Sequence, residues 1–342
     1  MIRPRNLRLR TCSPPCTMPS SRLAAVTITL ATLAACGGGA DEASGARRVA
    51  VIPKGTSHEF WKAVHAGSVR AGDAMGVEIQ WVGPQPEGDR EAQIGVMETM
   101  ITRGVDGIVL MPVDGAALVR VSQEAKDAGI PVVIADSGLD WDGKVSFVAT
   151  DNREAGRIAG RRLYESMGGR GRAVMMRYTE GSESTKQREE GFLEGVSERT
   201  GVELLSTNQY AGNTKEGAQA VAENLLTAHP NLTGVFCSNE SATHGMLRAL
   251  EAAGRAGKIR FVGFDSSGTL LEGLRAGYID ALVLQDPVHM GDTAVRTLVG
   301  HLDGQDVAAR VDTGVTVATR TNLSAPEIAG LLEPDLSILD GR

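Results

Sequence analysis

The sequence predicts an α/β protein of two similar lobes, each a parallel sheet with helices on both faces. Three observations predict it. Apolar strand-like runs alternate with helical patterns, that series occurs twice, and the 342 residues include 42 glycines but only 4% aromatics. Strands buried on both faces read as unbroken apolar runs, and alternation with helices is the mark of a covered parallel sheet. Many glycines and few aromatics suit tight strand–helix turns better than an aromatic-rich sandwich. The length is generous for one core and comfortable for two of about 100–200 residues.

Taken in order, the chain begins with a segment set apart from the rest. Arg3, Arg5, Arg8, Arg10 and Arg22 accompany an apolar run, LAAVTITLATLAA, over 23–35. It is shorter than the roughly 20 residues that span a bilayer. The run ends in Leu33-Ala34-Ala35-Cys36, the pattern of a bacterial lipobox. Residues 1–35 then read as a signal peptide and Cys36 as the lipidated first residue of the mature chain. Residues 37–46 follow as a Gly-rich tether. Cleavage of a plain signal peptide at an Ala-x-Ala-like site is the alternative, and Met18 is a second candidate start. Loss of the five arginines takes the formal charge from −7 to −12. So acidic a body repels phosphate backbones, and nucleic acid is not expected as a partner. Of four cysteines only Cys237 remains in the body, so no internal disulfide is possible; in GVFCSN it reads as a small buried hydrophobe.

The strands then run VAVIP (49–53), VEIQWV (77–82), GIVLMP (107–112), PVVIAD (131–136) and VSFVAT (145–150). Helices are expected near 58–75, 88–102 and 115–128 between the first four. The second series is AVMMRY (173–178), VELLST (202–207), GVFCSN (234–239), IRFVGFD (259–265) and IDALVLQD (279–286). The two align in order, offset by about 125 residues, with PVVIADS and IRFVGFDSS both ending in Asp-Ser. A further strand falls within 311–322, and the apolar-spotted tail after it is expected to pack outside a lobe. Ligands of open parallel sheets lie beyond the carboxyl ends of the strands. Two such lobes facing each other would enclose one.

At this point the body resembles the ribose-type periplasmic binding proteins, whose type I fold is shared with LacI-type repressor cores. The resemblance is carried, in family order, by VIPKGTSHEFWKAVHAG, MITRGVDGIVLMPVD, AGIPVVIADS, VATDNREAG, KQREEGF, NLLTAHPNLTGVFCSNE, IRFVGFDSS and ALVLQDPVHMG. It implies two Rossmann-like lobes joined by three hinge crossovers, near 149–151, 284–286 and 313–315. The N-terminal lobe would comprise 47–149 plus 286–313, the C-terminal lobe 150–285 plus 314–324, and 325–342 the tail. The implied function is the substrate-binding component of an ABC importer. It would be a monomer held to the membrane by its lipid alone, closing on a small polar ligand, a sugar, and handing it to permease subunits. The alternative is a receptor that presents the ligand to a chemoreceptor or sensor kinase. A LacI-type regulator would need a helix-turn-helix before Arg47, where the signal and tether stand instead.

Candidate ligand residues follow from the resemblance and from chemistry. Phe60 and Trp61 match an aromatic pair that stacks on sugar C–H faces, although either could simply pack beneath its helix. Asp136 and Asp265 end equivalent strands, where a carboxylate can accept two hydroxyl protons or cap a helix. Arg188 and Lys186 match a basic region, with surface solvation as the bland reading. Asn239 and Gln285 each offer a donor and an acceptor. Ser57 and His58 occupy polar positions of the first loop. Ser137 stands where ribose binders carry an Arg, which puts ribose itself in doubt. Trp141 and Asp142 could reach the cleft or lie in a solvated loop. His58 and His65, seven apart, lack the four-residue spacing and third ligand of a zinc site, so no metal is expected. No G-x-S-x-G, P-loop or Cys-x-x-Cys occurs, so neither catalysis nor a cofactor is expected.

Overall fold

The computed structural model describes residues 45–341; the signal, the tether and Cys36 lie outside them except for the last tether residues. The first series of elements is β1 (Arg48–Ile52), α1 (Glu59–Met75), β2 (Glu78–Trp81), α2 (Arg90–Thr102), β3 (Gly107–Leu110), α3 (Val119–Asp127), β4 (Val132–Ala135) and β5 (Phe147–Ala149). The second is α4 (Asn152–Ser166), β6 (Gly171–Arg177), α5 (Glu183–Ser197), β7 (Val202–Tyr210), α6 (Lys215–Ala228), β8 (Gly234–Cys237), α7 (Glu240–Ala252), β9 (Arg260–Phe264), α8 (Gly268–Ala276) and β10 (Ala281–Leu284). The chain ends with α9 (Pro287–Leu302), β11 (Arg310–Asp312), β12 (Thr316–Ala318), α10 (Pro326–Leu332) and a 3-10 turn over Ser337–Leu339.

These build two six-stranded sheets of the same design, β11-β5-β4-β3-β1-β2 and β12-β10-β9-β8-β6-β7. Every pairing is parallel except that β12 runs antiparallel to β10. The strand period of two divides each central strand between two cores. Ala50 and Ile52 of β1 face one cluster, Val49 and Val51 the other. Val174 and Met176 of β6 part from Ala173 and Met175 in the same way. Cys237 is fully buried in the second lobe.

The chain passes between lobes three times. After β5 in the first sheet, α4 packs on α5 of the second lobe; after β10 in the second sheet, α9 packs on α1 of the first. Between β11 and β12 it crosses once more. Both crossover helices lie backbone to backbone on their partners. A Cβ on Gly67 would sit 2.0 Å from the Val288 oxygen, and one on Gly156 2.1 Å from the Arg188 oxygen, so only glycine fits. The tail buries Ile328 and Leu332 of α10 in the second-lobe core, while its 3-10 turn packs on α1 of the first.

Candidate functional site

The carboxyl ends of both sets of strands meet around a small cavity lined by side chains of both lobes, in the place where open parallel sheets hold their ligands. Asp136 follows β4 and Asp265 follows β9, equivalent positions in the two lobes. Among the described residues they are the only non-glycines with positive φ, 60° and 67°. Asp tolerates this left-handed conformation better than most residues, yet it costs energy and needs a reason. Here the sharp turn leaves both carboxylates at the cavity, 3% and 7% exposed.

The first lobe builds its wall from two ionic groups. Lys54 follows β1, and its Nζ lies 2.9 Å from Asp136 Oδ2 while donating to Ser184 Oγ of the other lobe at 2.9 Å. Glu87, in the loop before α2, receives His58 Nδ1 at 2.7 Å, Trp61 Nε1 at 2.6 Å and, across the cleft, the Tyr178 hydroxyl at 3.1 Å. Burial alone would lower the His58 pKa, but the Glu87 charge and hydrogen bond outweigh it and hold it at about 9. Burial would likewise raise Glu87, and His58 overcomes that to keep it below the usual carboxylate range. At neutral pH the two form a buried ion pair. Phe60 stands edge-on to Trp61, ring centres 4.8 Å apart, and both line the cavity.

The second lobe builds its wall around Arg188. Its guanidinium lies 3.9 Å over the Phe264 ring, donates Nε to Asn152 Oδ1 at 2.8 Å and Nη1 to the Ser238 carbonyl at 3.1 Å. Nη1 is 3.9 Å from Asp265 Oδ2. Asp265 also accepts Gln285 Nε2 at 2.8 Å and the Glu240 amide at 3.1 Å. Burial nevertheless outweighs these partners and pushes the Asp265 pKa up to about 6. Asn239 lines the same cavity while its Oδ1 caps α7 through the Ala242 amide.

The structure thus brings His58, Phe60, Trp61, Asp136, Arg188, Asn239, Asp265 and Gln285 to one cavity. It does not bring the other three there. Ser57 is exposed, because the loop turns it to solvent one residue before buried His58. Lys186 is exposed and pairs with Glu183 on its own helix, since the face of α5 turned inward is that of Ser184, Thr185 and Arg188. Ser137 is fully buried, but its hydroxyl accepts the Ser184 amide rather than facing the cavity. Trp141 packs into the first-lobe core and donates to Gln123, while Asp142 is exposed. Sequence reasoning missed Lys54, Glu87, Tyr178, Ser184, Thr185 and Glu240, all lining the cavity. Lys54 and Tyr178 were within reach, being among the first residues past their strands. Glu87 lay in PQPEGD, which reads only as a turn.

A polar cavity between two duplicated parallel-sheet lobes, crossed three times by the chain, defines a two-lobed solute-binding protein. A family model described as a periplasmic binding protein domain matches residues 49–306, and the chain belongs to that family. It is 30% identical to the D-ribose/D-allose-binding protein of Pseudomonas aeruginosa, over 80% of this chain and 88% of that one. It is also similar to a carbohydrate transporter solute-binding protein from Agrobacterium radiobacter solved with D-arabinose (32% identity, 85% of this chain and all of that one, TM-score 0.82). An ABC transporter solute-binding protein from Agrobacterium vitis with bound D-fucose matches at 33% identity over 84% of this chain and all of that one, TM-score 0.81.

Proposed function

We propose that this chain is the sugar-binding component of an ABC importer, closing its lobes on one monosaccharide-sized ligand. The observation that carries the reading is a cluster of buried acceptors. Asp136 Oδ2, Glu240 Oε1 and Gln285 Oε1 have no hydrogen-bond donor, and all three residues line the same cavity. Two of these oxygens touch an ammonium at 2.9 Å, that of Lys54 or Lys215, without hydrogen-bond geometry. The Gln285 oxygen has no partner at all, a cost of about 1–3 kcal/mol, and a ring of hydroxyls would supply a donor to it and further donors to the two ion-paired carboxylates. Phe60 and Trp61 offer the C–H face of that ring an apolar wall.

In this reading the ligand residues are His58, Phe60, Trp61, Asp136, Arg188, Asn239, Asp265 and Gln285. Lys54 joins them, as the donor beside Asp136 that Ser137 cannot provide. The lobes hinge near 149–151, 284–286 and 313–315, and a lipid on Cys36 tethers the monomer outside the cytoplasm, where permease subunits receive the closed form. Relatives at about 30% identity carry D-ribose or D-allose, D-arabinose and D-fucose in their names, so pentoses and hexoses head the candidates. A thermal-shift screen of pentoses, hexoses and polyols tests the reading, because a ligand adds RT ln(1 + [L]/Kd) of stability. Asp265→Ala and Trp61→Ala should each weaken the resulting hit more than about tenfold, roughly 1.4 kcal/mol. Unchanged affinity in both folded variants would refute the cavity assignment.

A further inference from the structure

Helices α1 and α5 are equivalent, each following the first strand of its lobe and starting at the cleft. Neither is capped by its own N-cap side chain, His58 or Ser182. By contrast α2, α4, α6, α7, α8 and α9 are capped by their own Asp89, Asp151, Thr214, Asn239, Ser267 and Asp286. The missing acceptors come from the opposite lobe. The second amide of α1, Phe60 N, donates to Glu240 Oε2 at 3.2 Å, and the second amide of α5, Ser184 N, donates to Ser137 Oγ at 3.1 Å. Glu240 is 1% exposed and Ser137 0%.

We propose that Glu240 and Ser137 are positioning residues that reciprocally cap, across the cleft, the first helix of the other lobe and so stabilise the closed form. The proposal rests on the hinge-closing reading above. A cap within one lobe stabilises open and closed forms equally. A cap across the seam acts only when the lobes meet: in the open form water serves both amides, and in the closed form they are buried and need an acceptor. The two sides are unequal. Glu240 brings a carboxylate to the positive end of α1, while Ser137 brings only a hydroxyl dipole to α5. The other Glu240 oxygen lies 2.9 Å from Lys215 Nζ of the same lobe.

The test needs no ligand. A spin-label pair at exposed Lys126 and Asn224, one in each lobe, reports the open and closed populations of the full chain by double electron–electron resonance. Glu240→Ala should lower the closed-to-open ratio about fivefold, equivalent to about 1 kcal/mol, and Ser137→Ala about twofold. Glu240→Gln keeps an acceptor and should stay within about twofold of the parent. Thr214→Ala, which removes a cap inside one lobe, should leave the ratio unchanged while lowering thermal stability. The proposal is overturned if Glu240→Ala leaves the ratio unchanged, if Glu240→Gln or Thr214→Ala loses as much as Glu240→Ala, or if the parent shows no closed population. Because the readout is ligand-free, the sugar screen can fail while this test succeeds, and the reverse.

Discussion

The two lobes share a strand order but line the cavity with different electrostatics. The first lobe's Glu87 is saturated by His58, Trp61 and, from across the cleft, Tyr178, and Lys54 lies against Asp136. Its charges are matched before any ligand arrives. The second lobe's Asp265 has Gln285, a backbone amide and a distant Arg188, too little to offset burial, and its pKa rises to about 6. Duplication preserved the sheet and the left-handed Asp at the end of its fourth strand. It did not preserve how that Asp is neutralised. The second lobe therefore stands to gain more from hydroxyl donors, while the first spends its polar groups on fixing Trp61 and closing the seam.

The largest expected effect breaks the second wall. Arg188→Ala leaves Asp265 without its cation and Phe264 without its stacked partner. Breaking such a buried pair costs about 3–5 kcal/mol, and calorimetry should show sugar binding lost together with a fall in thermal stability. A binding constant within tenfold of the parent would show that the walls are equivalent after all.

Next comes Gly156→Ala, whose new methyl would meet the Arg188 carbonyl oxygen at 2.1 Å. Overpacking costs about 1–3 kcal/mol, and because the displaced backbone carries Arg188, affinity should fall with melting temperature. The matching Gly67→Ala on the first lobe, 2.0 Å from the Val288 oxygen, should lower the melting temperature with less effect on affinity.

The pH dependence separates the walls without mutation. Asp265 has a folded pKa above its unfolded 3.8, so the empty fold gains from its proton in acid, and that gain is lost as pH rises through about 6. Sugar hydroxyls need the ionised acceptor, so affinity should weaken as pH falls below about 6. His58, with a folded pKa of about 9 against 6.5, contributes stability fully present below pH 6.5 and lost as pH rises through 9. Melting curves of the empty protein should accordingly decline between pH 7 and 10. In Glu87→Gln that decline should largely vanish; its persistence would assign the alkaline loss elsewhere. The smallest effects belong to Ser57→Ala and Lys186→Ala, exposed positions outside the cavity, where affinity should hold within about twofold.

Much of this architecture was legible in one dimension. The apolar runs located ten strands of the duplicated series, and the Asp-Ser endings of PVVIADS and IRFVGFDSS marked two of the four carboxylates that line the cavity. Ser137 shows where legibility stopped. Its place beside Asp136 suggested a ligand contact, but its hydroxyl instead serves an amide of the other lobe, 47 residues away in sequence. Glu87 was invisible for the same reason: its hydroxyl donor, Tyr178, is 91 residues distant.

The sequence by itself determined two covered parallel sheets and the strand ends at which polar groups gather, because period, duplication and turn chemistry are properties of neighbouring residues. Only the tertiary structure decided which polar groups face the cavity and which face each other. Hydrogen bonds are directional and act within about 3 Å, so partners such as Phe60 and Glu240, 180 residues apart, exist only once the two lobes have folded and shut.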